Sequence, residues 1–368
     1  MLISKKSSAQ LQEQLQKREE VFCSGLFLSA RWMVLSQVAR EGVHLILMPT
    51  RESAEYCSAD LYNMVEGDCV FFLPELGKSV ERSNYKSSLG VQRTAAIGKL
   101  MERSFASLRM TDHLQVEESP LFIITYPEAM EEKVPSAQKL QNALFSIKEG
   151  QEIAYESIRT RLLDEGFEKV DFVSAPGQFA LRGAVIDIFS FSSDKPFRLS
   201  FFGDEVEKIH TFDCNTQLSV DRIPQADVYP DIAARETEEG ESLVNLLPAG
   251  TTVWLDSSDM CRQKDFFAPL LAFKHVYLDI PLQKEDVDKI QFNISPQPVF
   301  NKNFDLLIGD IRSRIENNYK VYIVGEKESQ LERLRSIMLQ EENALLPEFV
   351  KGRNVHSGLI DNQDRICL

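Results

Sequence analysis

Short, nearly continuous apolar runs alternate with stretches of helical period along the first third of the chain. Val43–Met48, Val70–Leu73 and Leu121–Thr125 carry almost no polar residue, the pattern of strands buried on both faces of a parallel sheet. A Pro49-Thr50 turn separates the first of these from a helix through Ala54–Met64. Strands spaced by helices in this way specify an α/β layer. The idiom returns after residue 216, with Thr252–Leu255 and His275–Ile280 as strands. It returns again near the end, as helix 304–317, strand Lys320–Val324 and helix Glu328–Glu341. Between these last two stretches, Pro281 to Phe300, with Pro296 and Pro298, reads as a linker. Arg353–Asp361 and an apolar Ile366-Cys367-Leu368 follow, and the chain stops in mid-strand, as a piece of something longer would.

Residues 139–215 have a different rhythm. One helix, Tyr155–Glu165, precedes a Pro176-Gly177 turn signal and two apolar, β-branched and aromatic runs at 184–189 and 197–202. Ser192-Ser193-Asp194-Lys195-Pro196 separates the runs, and Gly203-Asp204 turns the chain into a third run ending near Phe212. This is a small α+β meander. The order predicts one parallel-sheet α/β domain, residues 1–138 and 216–300 (linker included), with an α+β module inserted at 139–215 and a small α/β domain at 301–368.

Composition adds bounds. A chain of 368 residues holds two to four compact units, and 43% apolar with 26% charged residues is ordinary for a globular protein. The net charge of −15 disfavours non-specific nucleic-acid binding, which rests on neutralising phosphates. Residues 78–109 run against that trend, with seven Lys/Arg against two Glu; they read as a solvated helical surface, with DNA or partner contact as the alternative. The six cysteines, Cys23, Cys57, Cys69, Cys214, Cys261 and Cys367, are scattered without a C-x-x-C pair. That argues against a zinc site and a disulfide framework, and fits a reducing cytoplasm. The longest apolar run, Val43–Met48, is far too short to span a bilayer, so a cytoplasmic chain without a membrane partner is expected. His44, His113 and His210 are isolated, Asp187 reads as a hydrogen-bonded structural residue, and Asp204-Glu205 as turn chemistry.

Parallel sheets of this kind often bind phosphate at the first strand-to-helix turn, where G-x-x-x-x-G-K-[ST] supplies amides, a lysine and a magnesium-binding hydroxyl. In that register the chain offers Gly25-Leu26-Phe27-Leu28-Ser29-Ala30-Arg31-Trp32. Gly25 is kept, but Ala30 stands at the second glycine, Arg31 at the lysine and Trp32 at the hydroxyl, and an indole cannot ligate magnesium. The other half of an ATPase site is an apolar strand ending in Asp-Glu. Val253-Trp254-Leu255-Asp256-Ser257 is the best candidate, with Ser257 where the glutamate belongs. The fold is therefore expected to be a degenerate P-loop, RecA-like domain, with no cofactor and no ATP hydrolysis in this chain.

Residues 177–213, GQFALRGAVIDIFSFSSDKPFRLSFFGDEVEKIHTFD, closely resemble the small module shared by the excision-repair protein UvrB and the bacterial transcription-repair coupling factors. The resemblance covers nearly the whole chain, strongest at 166–213 and weakest from 281 onward, and Ser357-Gly358-Leu359-Ile360-Asp361 is similar to the close of the third domain in the coupling factors. UvrB keeps a working phosphate loop and a tyrosine-dense hairpin that clamps DNA, whereas the equivalent stretch here, 74–92, holds only Tyr85. The resemblance thus favours the amino-terminal part of a coupling factor, with a UvrB-like nucleotide-dependent DNA-damage-handling protein as the alternative. It implies that the module docks UvrA, and that RNA polymerase and DNA are engaged through regions beyond this chain. By the same resemblance the full-length protein is an ATP-driven DNA translocase that masks its UvrA-docking face with its own carboxy-terminal domain. The UvrB-type recognition residues fall on Lys169, Phe179, Ala180 and Arg182, with Ala180 departing where UvrB has arginine. Phe179 reads as an aromatic anchor or as core, Lys169 as a contact or a solvated end, and Arg182, beside Gly183, as a planar fork aimed at a partner carboxylate.

Overall fold

The computed structural model describes residues 3–65, 69–76, 84–109, 119–136, 138–139, 142, 144–191, 193, 195–230, 240–256, 265–278, 288–301, 303–340, 345–352 and 355–368, with side chains at 89–104 within the helix Asn84–Arg109. They form two compact units: Met1–Val70, Val116–Pro127 and Ala249–Leu368 make one, Phe71–Gln115 and Glu128–Pro248 the other.

The first unit is built on a sheet whose strands follow the order Lys289–Gln291, Glu20–Ser24, Lys274–Tyr277, Thr252–Leu255, Val43–Leu47 and Leu121–Thr125. Pairing from Lys289–Gln291 through Leu121–Thr125 is parallel throughout. Val43–Leu47 and Leu121–Thr125 are buried at every residue, which is why they read as unbroken apolar runs. The helix Arg51–Met64 starts three residues earlier than the apolar pattern suggests, because Thr50 and Ser53 form a reciprocal capping box.

A five-stranded sheet in the same unit runs Ile294–Pro296, Leu359–Asp361, Ile366–Cys367, Lys320–Gly325 and Glu348–Lys351. The helices Phe304–Glu316 and Glu328–Met338 pack on it through Ile308, Ile311 and Met338, against Val321 and Ile360. The presumed linker 281–300 is corrected here: its described part holds two strands, one in each sheet. Both are short edge strands, and an edge position tolerates Pro296. The helix Lys5–Lys17 is capped from this sheet, where Asp361 accepts from the Ser4 N–H at 2.5 Å and Asp364 from the Lys5 N–H at 2.9 Å. Carboxylates there offset the positive end of the helix dipole.

The second unit holds the meander as a six-stranded sheet, in the order Ser219–Arg222, Glu205–Phe212, Phe197–Phe202, Val185–Ile188, Gln178–Arg182 and Glu168–Lys169. All neighbours are antiparallel except the last pair. One face carries Phe179, Ile186, Ile188, Leu199, Phe201 and Ile209, packed on Ile158 and Leu162 of the helix Tyr155–Asp164 and on the ribbon formed by Phe145–Lys148 and Gln225–Val228. Sheet and ribbon therefore continue to Val228, past the expected boundary at 215. Of the basic stretch 78–109, Arg93 is buried and donates to the carbonyls of Pro74, Ala129 and Glu132; Lys78 and Arg82 lie outside the described residues. Among the described residues no helix is long and apolar enough to cross a membrane.

Candidate docking site

Two places carry the residues singled out in the sequence. In the first unit, the loop after Glu20–Ser24 leads into the helix Ala30–Val38. Gly25 adopts φ +76°, and a Cβ there would collide with the carbonyl oxygen of Phe292. The glycine is thus required by the chain's own backbone. The Arg31 guanidinium forms a salt bridge with the Asp256 carboxylate, the two side chains being 15% and 13% exposed. Trp32 is buried. Ser29 donates its hydroxyl to Asp60 at 2.5 Å and accepts the Ser357 N–H at 2.9 Å, while the second oxygen of Asp60 accepts the His356 N–H at 2.6 Å. The His356 ring stacks on Tyr56 at 3.9 Å. Burial, aided by the Asp60 and Asp256 carboxylates, pushes the neighbouring Cys57 thiol well above its ordinary range. Ser257 lies outside the described residues, and among the described residues no group of three His, Cys, Asp or Glu could hold a metal ion.

In the second unit, the face of the meander opposite its main core has two zones. At one end Val173, Ala180, Phe189 and Phe212 form a small buried cluster. At the other end two-residue turns at Gly183 (φ +58°) and Gly203 (φ +62°) close both hairpins; glycine supplies the positive φ such turns need. Between these ends lies a charged trio. Asp187 is fully buried, Arg198 grips it with two N–H groups at 2.7 and 2.9 Å, and Arg182 donates to the same carboxylate. The Arg182 side chain keeps 36% of its surface and lies 5.3 Å from the ring centroid of Phe172, which is 61% exposed.

Residues 145–233 match the family model for the UvrB interaction domain, a range that takes in the whole six-stranded sheet and the ribbon beneath it. The transcription-repair coupling factor of Haemophilus influenzae is 36% identical over 118 residues, 32% of this chain and 10% of the relative. That of Bacillus subtilis is 27% identical over 253 residues, 67% of this chain and 20% of the relative. The resemblance seen in the sequence holds: this chain is similar to the amino-terminal region of transcription-repair coupling factors. The coupling factor of Borreliella burgdorferi extends the match to 326 residues at 26% identity, 68% of this chain and 28% of the relative. The chain thus spans well under a third of the length of these coupling factors.

Within the UvrB interaction domain, the structure separates the residues that the resemblance grouped. Phe179 has no exposed surface and packs in the main core, so its place as an aromatic anchor is corrected. Alternation decides this, since Phe179 shares a face with Leu181 and the opposite face carries Ala180 and Arg182. Ala180 is buried in the smaller cluster, with Val173, Phe189 and Phe212. Lys169 is exposed on the edge strand in register with Phe179, hence turned to the helix-covered side, away from Arg182. Phe172 and Arg198 were not singled out in advance. The register Asp187↔Arg198 pairs the two charges across the hairpin, but the loop at 192–196 leaves that register open to sequence alone.

Proposed function

We propose that this chain is the recruiting section of a transcription-repair coupling factor: its UvrB interaction domain docks UvrA, bringing excision repair to stalled RNA polymerase in the cytoplasm. The observation that carries this reading is the coincidence of the matched domain, residues 145–233, with a self-contained sheet that presents Arg182 at its surface. Arg182 is its central contact and Lys169 a peripheral one, with Phe179 supporting the sheet from within. RNA polymerase and DNA are engaged, and ATP is turned over, by parts of the coupling factor outside these residues.

This chain itself is non-catalytic, and its α/β domain is a nucleotide-binding fold that has lost its ligand. Support comes from the loop at Gly25–Trp32, where three residues are already taken up by the chain itself. Phe292 takes the space above Gly25, Asp256 neutralises Arg31 and Asp60 holds Ser29. A UvrB-like nucleotide-dependent role would need those groups free.

The test is capture of UvrA by the whole chain, with and without Arg182→Glu. Parent binding that drops about a hundredfold on charge reversal is expected, in line with loss of a central interfacial arginine. Equal capture by both chains would remove Arg182 from the interface.

A further inference from the structure

Docking through Arg182 alone does not account for the way the meander is built behind it. Asp187 has no exposed surface, and a buried carboxylate is costly unless paired. Its pairing is lopsided. Arg198 makes a two-point grip, is anchored by a 2.9 Å bond from Nη1 to the Gln217 carbonyl, and lies 4.4 Å from the Phe212 ring centroid. Arg182 makes one contact through Nη2 and holds the outer position, beside the exposed Phe172 ring. A guanidinium has five N–H donors, so most of those on Arg182 remain available for a second carboxylate.

We propose that Asp187, backed by Arg198, is a positioning residue that sets Arg182 against Phe172 as a preformed plate for a carboxylate of UvrA. Two guanidiniums around one carboxylate leave a local positive charge on a chain whose net charge is −15. That local sign selects an acidic partner surface. Holding the fork in one place before binding removes part of the entropy cost of ordering it. Phe172 supplies the rigid aromatic area that Phe179, being buried, cannot. This inference rests on the docking reading above.

The experiment is a double-mutant cycle on the whole chain, with UvrA affinity and its salt dependence as readouts. Phe172→Ala is expected to weaken binding about tenfold without moving the melting temperature, since the ring is mostly exposed. Asp187→Asn is expected to weaken binding about tenfold in the parent without flattening the salt dependence, since the local positive charge grows, and to cost less than about twofold once Arg182→Ala is present. Should Asp187→Asn fail to fold, Arg198→Lys, which keeps the charge and loses the two-point grip, takes its place in the cycle with the same expectation. Equal losses in the Arg182 and Arg182→Ala backgrounds, or parent-like binding by Phe172→Ala, would overturn the inference and leave the docking reading standing. A parent chain that does not bind UvrA removes both.

Discussion

Arg31 and Asp256 neutralise one another across the loop that follows the first strand of the parallel sheet, each side chain mostly withdrawn from solvent. The pair gives each of the two charges an internal counter-charge. Titration with ATP and magnesium is therefore expected to show no binding up to about millimolar concentration, so any affinity is weaker than about −4 kcal/mol. Micromolar affinity would sink the reading of this loop. Asp256→Asn removes one charge of a mostly buried ion pair and is expected to cost about 3 kcal/mol in urea unfolding.

Asp60 joins two separate stretches of chain by accepting from the Ser29 hydroxyl and the His356 N–H. Asp60→Ala strands both donors, and a loss of about 3 kcal/mol is expected. Hydrogen exchange should speed up at His356 and Ser357 in particular. Unchanged protection there would mean that the segment is held by other contacts.

Burial holds His44 well below its ordinary range, at about 4, with the Glu41 carbonyl pulling weakly the other way. Its Nδ1 accepts from the indole N–H of Trp254 at 3.1 Å, so the ring must be neutral there. The unfolded state takes up a proton that the folded state refuses. This contribution is intact above pH 6.5 and is lost as the pH falls from 6.5 toward 4. Between pH 7 and pH 5 the loss should be about 2 kcal/mol. In a Trp32→Phe background, Trp254 emission reports the transition directly, and a midpoint near pH 6.5 would contradict the burial.

Gly25 and Gly183 both adopt positive φ but differ in their surroundings. A Cβ at Gly25 meets the Phe292 carbonyl, whereas one at Gly183 meets nothing within 4 Å. Gly25→Ala is expected to destabilise by about 3 kcal/mol or more, and Gly183→Ala by about 1 kcal/mol from backbone strain alone. Urea midpoints of the two variants, compared side by side, check the ordering.

Much of the architecture could be read from local pattern. Val43–Leu47, Leu121–Thr125 and Thr252–Leu255 are continuous apolar runs because both faces of the parallel sheet are covered there, and burial on both faces leaves a signature every residue long. The strands Lys289–Gln291 and Ile294–Pro296 escaped notice because edge strands are short, half-solvated and tolerant of proline. Asp60 gave one unused signal, a carboxylate three residues along the helix from buried Cys57, on the stripe that faces inward.

The amino-acid sequence by itself determined the layers, the meander and the family resemblance, since each rests on residues close together in the chain. Tertiary structure alone decided what the charged and aromatic residues face. Whether Phe179 or Phe172 meets a partner depends on which side of the sheet receives the helix Tyr155–Asp164. Whether Arg182 is free or tethered depends on the hairpin register that sets Asp187 opposite Ala180, within reach of the Arg182 guanidinium. Arg31 and Asp256 are far apart in sequence, and nothing local to either could reveal that each is the other's counter-charge. Pairing across such separations is chosen by the packing of the whole unit, because a buried charge takes the partner that the fold delivers to it.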